Sequence, residues 1–209
     1  MANLEQLGAA VRNFAEAVDH LYGHYLDSTH GFRKNAEWLD EAQRRTRATR
    51  PGINLDAATF TYGIGAPGGG RPLHHTTQGA FRERNADGGA NHVYAGQLLV
   101  VLLYTYWETR HRAAIAAALE LADQHELKVP IMGDLRRLRI DVVHHRGILQ
   151  AENVTRLSVV RDLIAGAQLT LQPDAVEALI LTVKGALDQI VVDAGGPDPN
   201  HRTLWNHYR

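Results

Sequence analysis

Residues 131–148 hold the chain's densest run of chemically competent side chains: Ile-Met-Gly-Asp-Leu-Arg-Arg-Leu-Arg-Ile-Asp-Val-Val-His-His-Arg-Gly-Ile. Arg139 is followed by His144 after four intervening residues, and His145 comes next. A histidine titrates near neutrality and can give or take a proton. An arginine stays charged, and its fork can hold charge developing on a phosphoryl group without reorganising. Arg139 with His144 or His145 therefore suits acid–base chemistry at a phosphate ester. A plainer account competes with this. Arg137, Arg139 and Arg146 could pair with Asp134, Asp141 and Glu108, and His144 could be a satisfied histidine near a helix end. On residue types alone the plainer account carries more weight.

The spacing says which element positions these groups. Leu135, Leu138, Val142 and Val143 lay an apolar stripe along one side of a helix. Asp134 is the expected N-cap and Gly147 the expected stop. Five positions on a helix amount to about 140° of rotation and about 7.5 Å of rise, so Arg139 and His144 do not stack on one another. They can flank a groove when two copies of the helix pack across a two-fold axis.

This stretch resembles the signature helix of the HEPN superfamily of RNA-cleaving domains, marked by an Arg, four to six residues, then a His. Tyr106-Trp107-Glu108-Thr-Arg110-His-Arg112 is similar to the Trp-Glu-…-Arg helix that often precedes it in bacterial members. The likeness covers roughly residues 93–190. The position after the Arg, commonly Asn in that pattern, is Ile140 here. The resemblance implies an all-α, HEPN-like bundle of five or six helices, and a homodimer whose interface forms the site. It implies metal-independent cleavage of RNA by attack of the ribose 2′-hydroxyl. Arg139 and His144 would be the catalytic pair, with His145 the rival to His144. Glu108, Arg112, Arg136, Asp141 and Arg146 would support or bind substrate. It further implies a toxin–antitoxin or antiviral setting, often with a nucleotidyltransferase-type antitoxin as partner. Ile140 keeps a second reading open: a non-catalytic helical dimer that binds RNA or a partner protein.

Other constellations are weaker. Asp27-x-x-His30 and Asp141-x-x-His144, with Glu108, resemble the carboxylate and histidine spacing of metal sites in helical bundles, but no ligand set is complete. Gly63-Ile-Gly65-Ala-Pro-Gly68 matches a glycine-rich fingerprint without the helix or the Lys-Ser/Thr that would make it a phosphate loop. No cofactor is expected.

At 209 residues, with 44% of them hydrophobic, the chain can bury a sizeable core as one domain. A net charge of -1 means that any nucleic-acid contact must come from a local basic patch. Absence of cysteine excludes disulfides, thiolate nucleophiles and Cys-based zinc sites. Met1-Ala-Asn-Leu-Glu-Gln carries no signal-peptide pattern, and residues 98–104 are too short to span a membrane, so a cytoplasmic protein without membrane partners is expected. Leu4, Leu7, Val11, Phe14, Val18, Leu21, Tyr22 and Tyr25 predict a first amphipathic helix, and a second is predicted over about 31–46. Residues 51–92 read as a long irregular Gly/Pro-rich arm, with 59–62 a short strand. Asn91 is the expected cap of a buried helix over 93–125. Further helices are expected over 154–167 and from Pro173, before a peripheral tail at 196–209.

Overall fold

The computed structural model describes residues 3–64 and 71–202. It is mostly helical, with one two-stranded sheet. The described residues fall into two compact units, one drawn from Met1–Tyr25 with Gly96–Arg209, the other from Leu26–Ala95.

The expected first and second helices are one continuous helix, α1, Leu4–Thr49. Asp27, Ser28 and Thr29 favour caps and turns, but nothing between Tyr25 and Gly31 forbids helical backbone. Thr29 satisfies its hydroxyl on the Leu26 carbonyl at 3.0 Å, and a glycine inside a helix costs only about 1 kcal/mol.

In the first unit, the opening turns of α1 bury Leu7, Val11, Phe14 and Val18, a spacing of three and four residues. α3 spans Ala90–Tyr106 and contributes Leu99, Val100 and Leu103 to this core. A π-helical turn, Trp107–His111, then inserts one extra residue before α4, Arg112–Ala118. The expected helix over 93–125 thus starts earlier, carries a bulge and ends sooner. Asn91 lies inside α3 and donates to Asn85 Oδ1 instead of capping. α5, Pro130–His144, buries Ile131, Leu135 and Leu138. α7, Pro173–Asp193, buries Val176, Ile180, Val183 and Leu187. Lys184 on α7 is fully buried and bonds Asp19 Oδ1 of α1 at 2.6 Å. Asp188 accepts from the His201 amide at 3.0 Å and bonds its Nδ1 at 2.7 Å. That pair fixes the start of the expected tail; residues 203–209 lie outside the described residues.

In the second unit, the expected irregular arm is ordered where it is described. β1, Thr59–Ile64, pairs antiparallel with β2, Arg71–Thr77, and α2 follows as Gln78–Asn85. Thr77 caps α2 by accepting from the Ala80 amide at 3.1 Å. Phe60 packs edge-on against Phe81 at 5.2 Å. Gln43, Asp56 and Arg82 form a polar clasp: Arg82 donates to Asp56 Oδ2 at 3.0 Å and to Gln43 Oε1 at 3.1 Å. Gly and Pro density misled because the residues beside it, Thr59, Phe60, Thr61 and Tyr62 with Thr76 and Thr77, have side chains that suit strands. The glycine-rich fingerprint runs into residues 65–70, outside the described residues.

The expected helix over 154–167 is also absent. Only α6, Ala151–Val154, is helical, and the chain then runs irregularly to α7. The cause is Asp134. It is not the N-cap of α5, which begins at Pro130, but a fully buried residue in the body of that helix. Its carboxylate accepts from the amides of Ser158 at 3.0 Å, Val159 at 2.7 Å and Val160 at 2.9 Å. Those amides are taken by a carboxylate and leave no helical ladder.

Asp134→Ala is expected to cost about 3 kcal/mol in urea unfolding, because three backbone amides lose one charged, fully buried acceptor together. Asp134→Asn, which keeps one acceptor oxygen, should cost less. An alanine variant as stable as the unsubstituted chain would contradict this assignment.

Candidate functional site

α5 has two dissimilar faces. Asp134 and Asp141, seven residues apart, lie on its inner side and are both fully buried. Asp141 accepts from the Gln150 amide at 3.0 Å and from Asn153 Nδ2 at 2.5 Å. Its own carbonyl accepts from the amides of His145 at 3.0 Å and Gly147 at 2.9 Å, which ends the helix. Gly147 is therefore part of the stop, as expected, although His144 is the last helical residue. Its φ of +80° favours glycine. A Cβ there would lie 2.3 Å from Gln97 Nε2 and 2.4 Å from Gln168 Nε2. Arg146 precedes it, also left-handed at φ +55°, and its carbonyl accepts from Gln168.

The outer face carries Arg136, Arg139, Ile140, Val143 and His144, steps of three, one, three and one. Arg136, Val143 and His144 are exposed, and Arg139 and Ile140 are half-buried. On an ideal helix Arg139 and His144 mark the two edges of this strip, about 140° apart, with Ile140 and Val143 between them. Val143 is 49% exposed. The expected ion pairs of Arg139 and Arg146 do not form among the described residues. Arg137 does approach Asp134, at 3.9 Å, and donates to the Gly133 carbonyl at 2.9 Å.

The remaining expected site residues divide. Asp141 faces the core with both oxygens engaged, so it holds the chain after α5 and does not reach a substrate. His145, at the C-terminal cap, and the Arg146 side chain are exposed beyond the end of the helix. Glu108 and Arg112 pair at 2.9 Å across the bulge, and Arg112 also donates to the Leu127 carbonyl at 3.1 Å. Burial raises the Tyr104 hydroxyl pKa above its usual range, Glu108 raises it further, and Arg136 and Arg112 oppose the rise. Tyr104, Glu108, Arg112 and Arg136 thus share one electrostatic neighbourhood, joining the Trp-Glu-…-Arg stretch to α5.

Sequence reasoning missed His111. The bulge turns it into the core, where it stacks on Phe14 at 4.8 Å and is 6% exposed. Its Nε2 is buried with no hydrogen-bond partner among the described residues. Burial and then the nearby Arg110 charge lower its pKa, favouring the neutral ring. It lines a recess of about 430 Å³ together with Glu16, His20 and Arg110. Nothing in the sequence marks a π-helical turn, so that signal was not there to find. Among the described residues, no group of three or more His, Asp or Glu is placed to hold a metal ion, so the two Asp-x-x-His spacings do not converge on a ligand set. No described helix is long and apolar enough to cross a membrane.

No protein-family model, no curated protein and no solved structure matches this chain.

A histidine whose folded pKa lies below its unfolded value binds fewer protons when folded, so the unfolded state gains as pH falls. Lowering the pH from 7.5 through 6.5 and below should therefore reduce the melting temperature, and His111→Phe should flatten that part of the profile. An unchanged slope in His111→Phe would show that His111 is not the titrating group.

Proposed function

We propose that the chain is a metal-independent endoribonuclease of the HEPN type, acting as a homodimer through the outer face of α5. A toxin or defence role, with a nucleotidyltransferase-type antitoxin as a candidate partner, belongs to the same reading. The observation that carries it is the composition of that face. An apolar strip, Ile140 and Val143, suited to contact with a second helix, is edged by a permanent cation and a proton-transfer group. Neither Arg139 nor His144 has an ion-pair partner among the described residues.

In this reading two copies of α5 pack across a two-fold axis, and each groove edge presents Arg139 from one copy opposite His144 from the other. His144 or His145 accepts the proton of the ribose 2′-hydroxyl as its oxygen attacks phosphorus. The bond from phosphorus to the 5′-oxygen breaks, and a protonated histidine supplies that oxygen with a proton. Arg139 holds the charge on the pentacoordinate phosphorus. The products carry a 2′,3′-cyclic phosphate and a 5′-hydroxyl. No oxidant, reductant or metal enters the balance.

Ile140 favours the second reading, a non-catalytic dimer that binds RNA or a partner protein. It places a hydrocarbon where a polar group could otherwise assist the arginine.

His144→Ala and Arg139→Ala should each lower cleavage of a mixed RNA pool by about 10²–10⁴ while leaving the melting temperature close to that of the unsubstituted chain. His145→Ala made in parallel decides which histidine transfers the proton. EDTA should have no effect, and DNA should resist. Cleavage lost in EDTA, or products without cyclic phosphate, would overturn the mechanism. RNA binding without cleavage would favour the second reading.

Val143→Glu places a charge at the centre of the strip. It should halve the mass measured by light scattering and remove cleavage with it. A dimeric, active Val143→Glu would move the interface elsewhere.

A further inference from the structure

A second basic feature lies beside α5 and is not used by the chemistry above. It is a groove of about 440 Å³, within the ~300–1,000 Å³ span of typical ligand sites, lined by Tyr104, Arg112, Lys128, Arg136, Arg137 and Arg156 among others. It follows the entry of the chain into α5 and is closed on one side by the segment held by Asp134 through Ser158.

Five cations line it and no carboxylate does. Three of the cations have acidic neighbours: Glu108 bonds Arg112, Asp134 approaches Arg137 at 3.9 Å, and Glu152 bonds Arg156 at 3.1 Å. Lys128 and Arg136 have no ion-pair partner among the described residues. Arg112 is held in place, 13% exposed, by Glu108 and the Leu127 carbonyl, and its Nε is buried without a hydrogen-bond partner among the described residues. Such a groove keeps a positive surplus and offers fixed guanidinium donors at its wall. Its matching ligand is a phosphoester anion. Tyr104 and Trp107 are both buried, so no exposed ring is offered for base stacking, and recognition falls on the phosphate and not on the base.

We propose that this groove binds successive phosphates of a single-stranded RNA backbone and leads the strand to the outer face of α5. Arg136 belongs to both surfaces. It lines the groove and stands on the strip that carries Arg139 and His144, which makes the two features continuous on one helix. This inference rests on RNA being the substrate but not on cleavage taking place.

The test is binding of a fluorescein-labelled 2′-O-methyl oligouridine, which cannot be cut by 2′-hydroxyl attack, to the full chain at several salt concentrations. The variant is Lys128→Ala with Arg156→Ala; both side chains are exposed, and Arg156 forms only a solvent-exposed ion pair. Each lost phosphate contact should make the slope of log affinity against log salt shallower by about 0.7, about 1.4 for the double variant. Affinity at low salt should fall about tenfold or more, with the melting temperature retained. Affinity and slope unchanged by the double variant would overturn the proposal. So would tight binding of a mononucleotide, lost in the variant, with no binding of the oligomer, because the groove would then serve a free nucleotide. If the oligomer binds as described while natural RNA stays uncut, the groove stands and the cleavage mechanism falls.

Discussion

Two buried carboxylates, one heptad apart on α5, set the arrangement on which the rest of the first unit depends. Asp134 and Asp141 are both fully buried, and each is satisfied by groups that follow α5 in the chain. A buried carboxylate without donors would be costly, and backbone amides without acceptors would be costly too. Each need meets the other. Asp134 collects three consecutive amides at 158–160, and Asp141 collects Gln150 and Asn153. The chain after α5 is therefore held as an irregular belt against the inner face of the helix.

The consequence for chemistry lies on the opposite face. With its acids turned inward, α5 presents Arg136, Arg139 and His144 outward, and no carboxylate from α5 itself neutralises Arg139. The same belt brings Arg156 and Ser158 to the groove beside Arg112, Lys128 and Arg137. One hydrogen-bonding pattern thus produces both the cation-edged strip and the basic groove next to it. It also explains how a chain with a net charge of -1 concentrates positive charge locally: the acids of this region are spent inside the core or paired at the rim.

Much of this was legible in the sequence. The three- and four-residue spacing of Leu7, Val11, Phe14 and Val18 marks the start of α1. Leu135 and Leu138 of the expected stripe mark the inner side of α5, whereas Val142 is half-buried and Val143 lies exposed on the outer face. The Pro173 start of α7 was readable from the same kind of local rule, and so was the strand over 59–62, which extends to Ile64. What failed was non-local. Asp134 has the residue type of an N-cap, and only partners 24 to 26 positions away reveal that it is an internal acceptor. Residues 155–167 have helical apolar spacing, yet the amides of Ser158, Val159 and Val160 in their midst bond a carboxylate that sequence spacing cannot locate. The continuity of α1 shows that weak turn formers do not break a helix whose two ends are both packed. His111 was missed because one inserted residue at the π-helical turn changes which side of the helix faces the core.

The central claim is that Arg139 and His144 act across two copies of α5. Mixing Arg139→Ala protein with His144→Ala protein, under conditions that allow subunits to exchange, tests it directly. Half of the dimers formed at random are mixed, and each of these regains one intact groove out of two, so cleavage should recover to roughly a quarter of the unsubstituted level while each variant alone stays inactive. Confirmed subunit exchange without any recovered cleavage would contradict the shared groove.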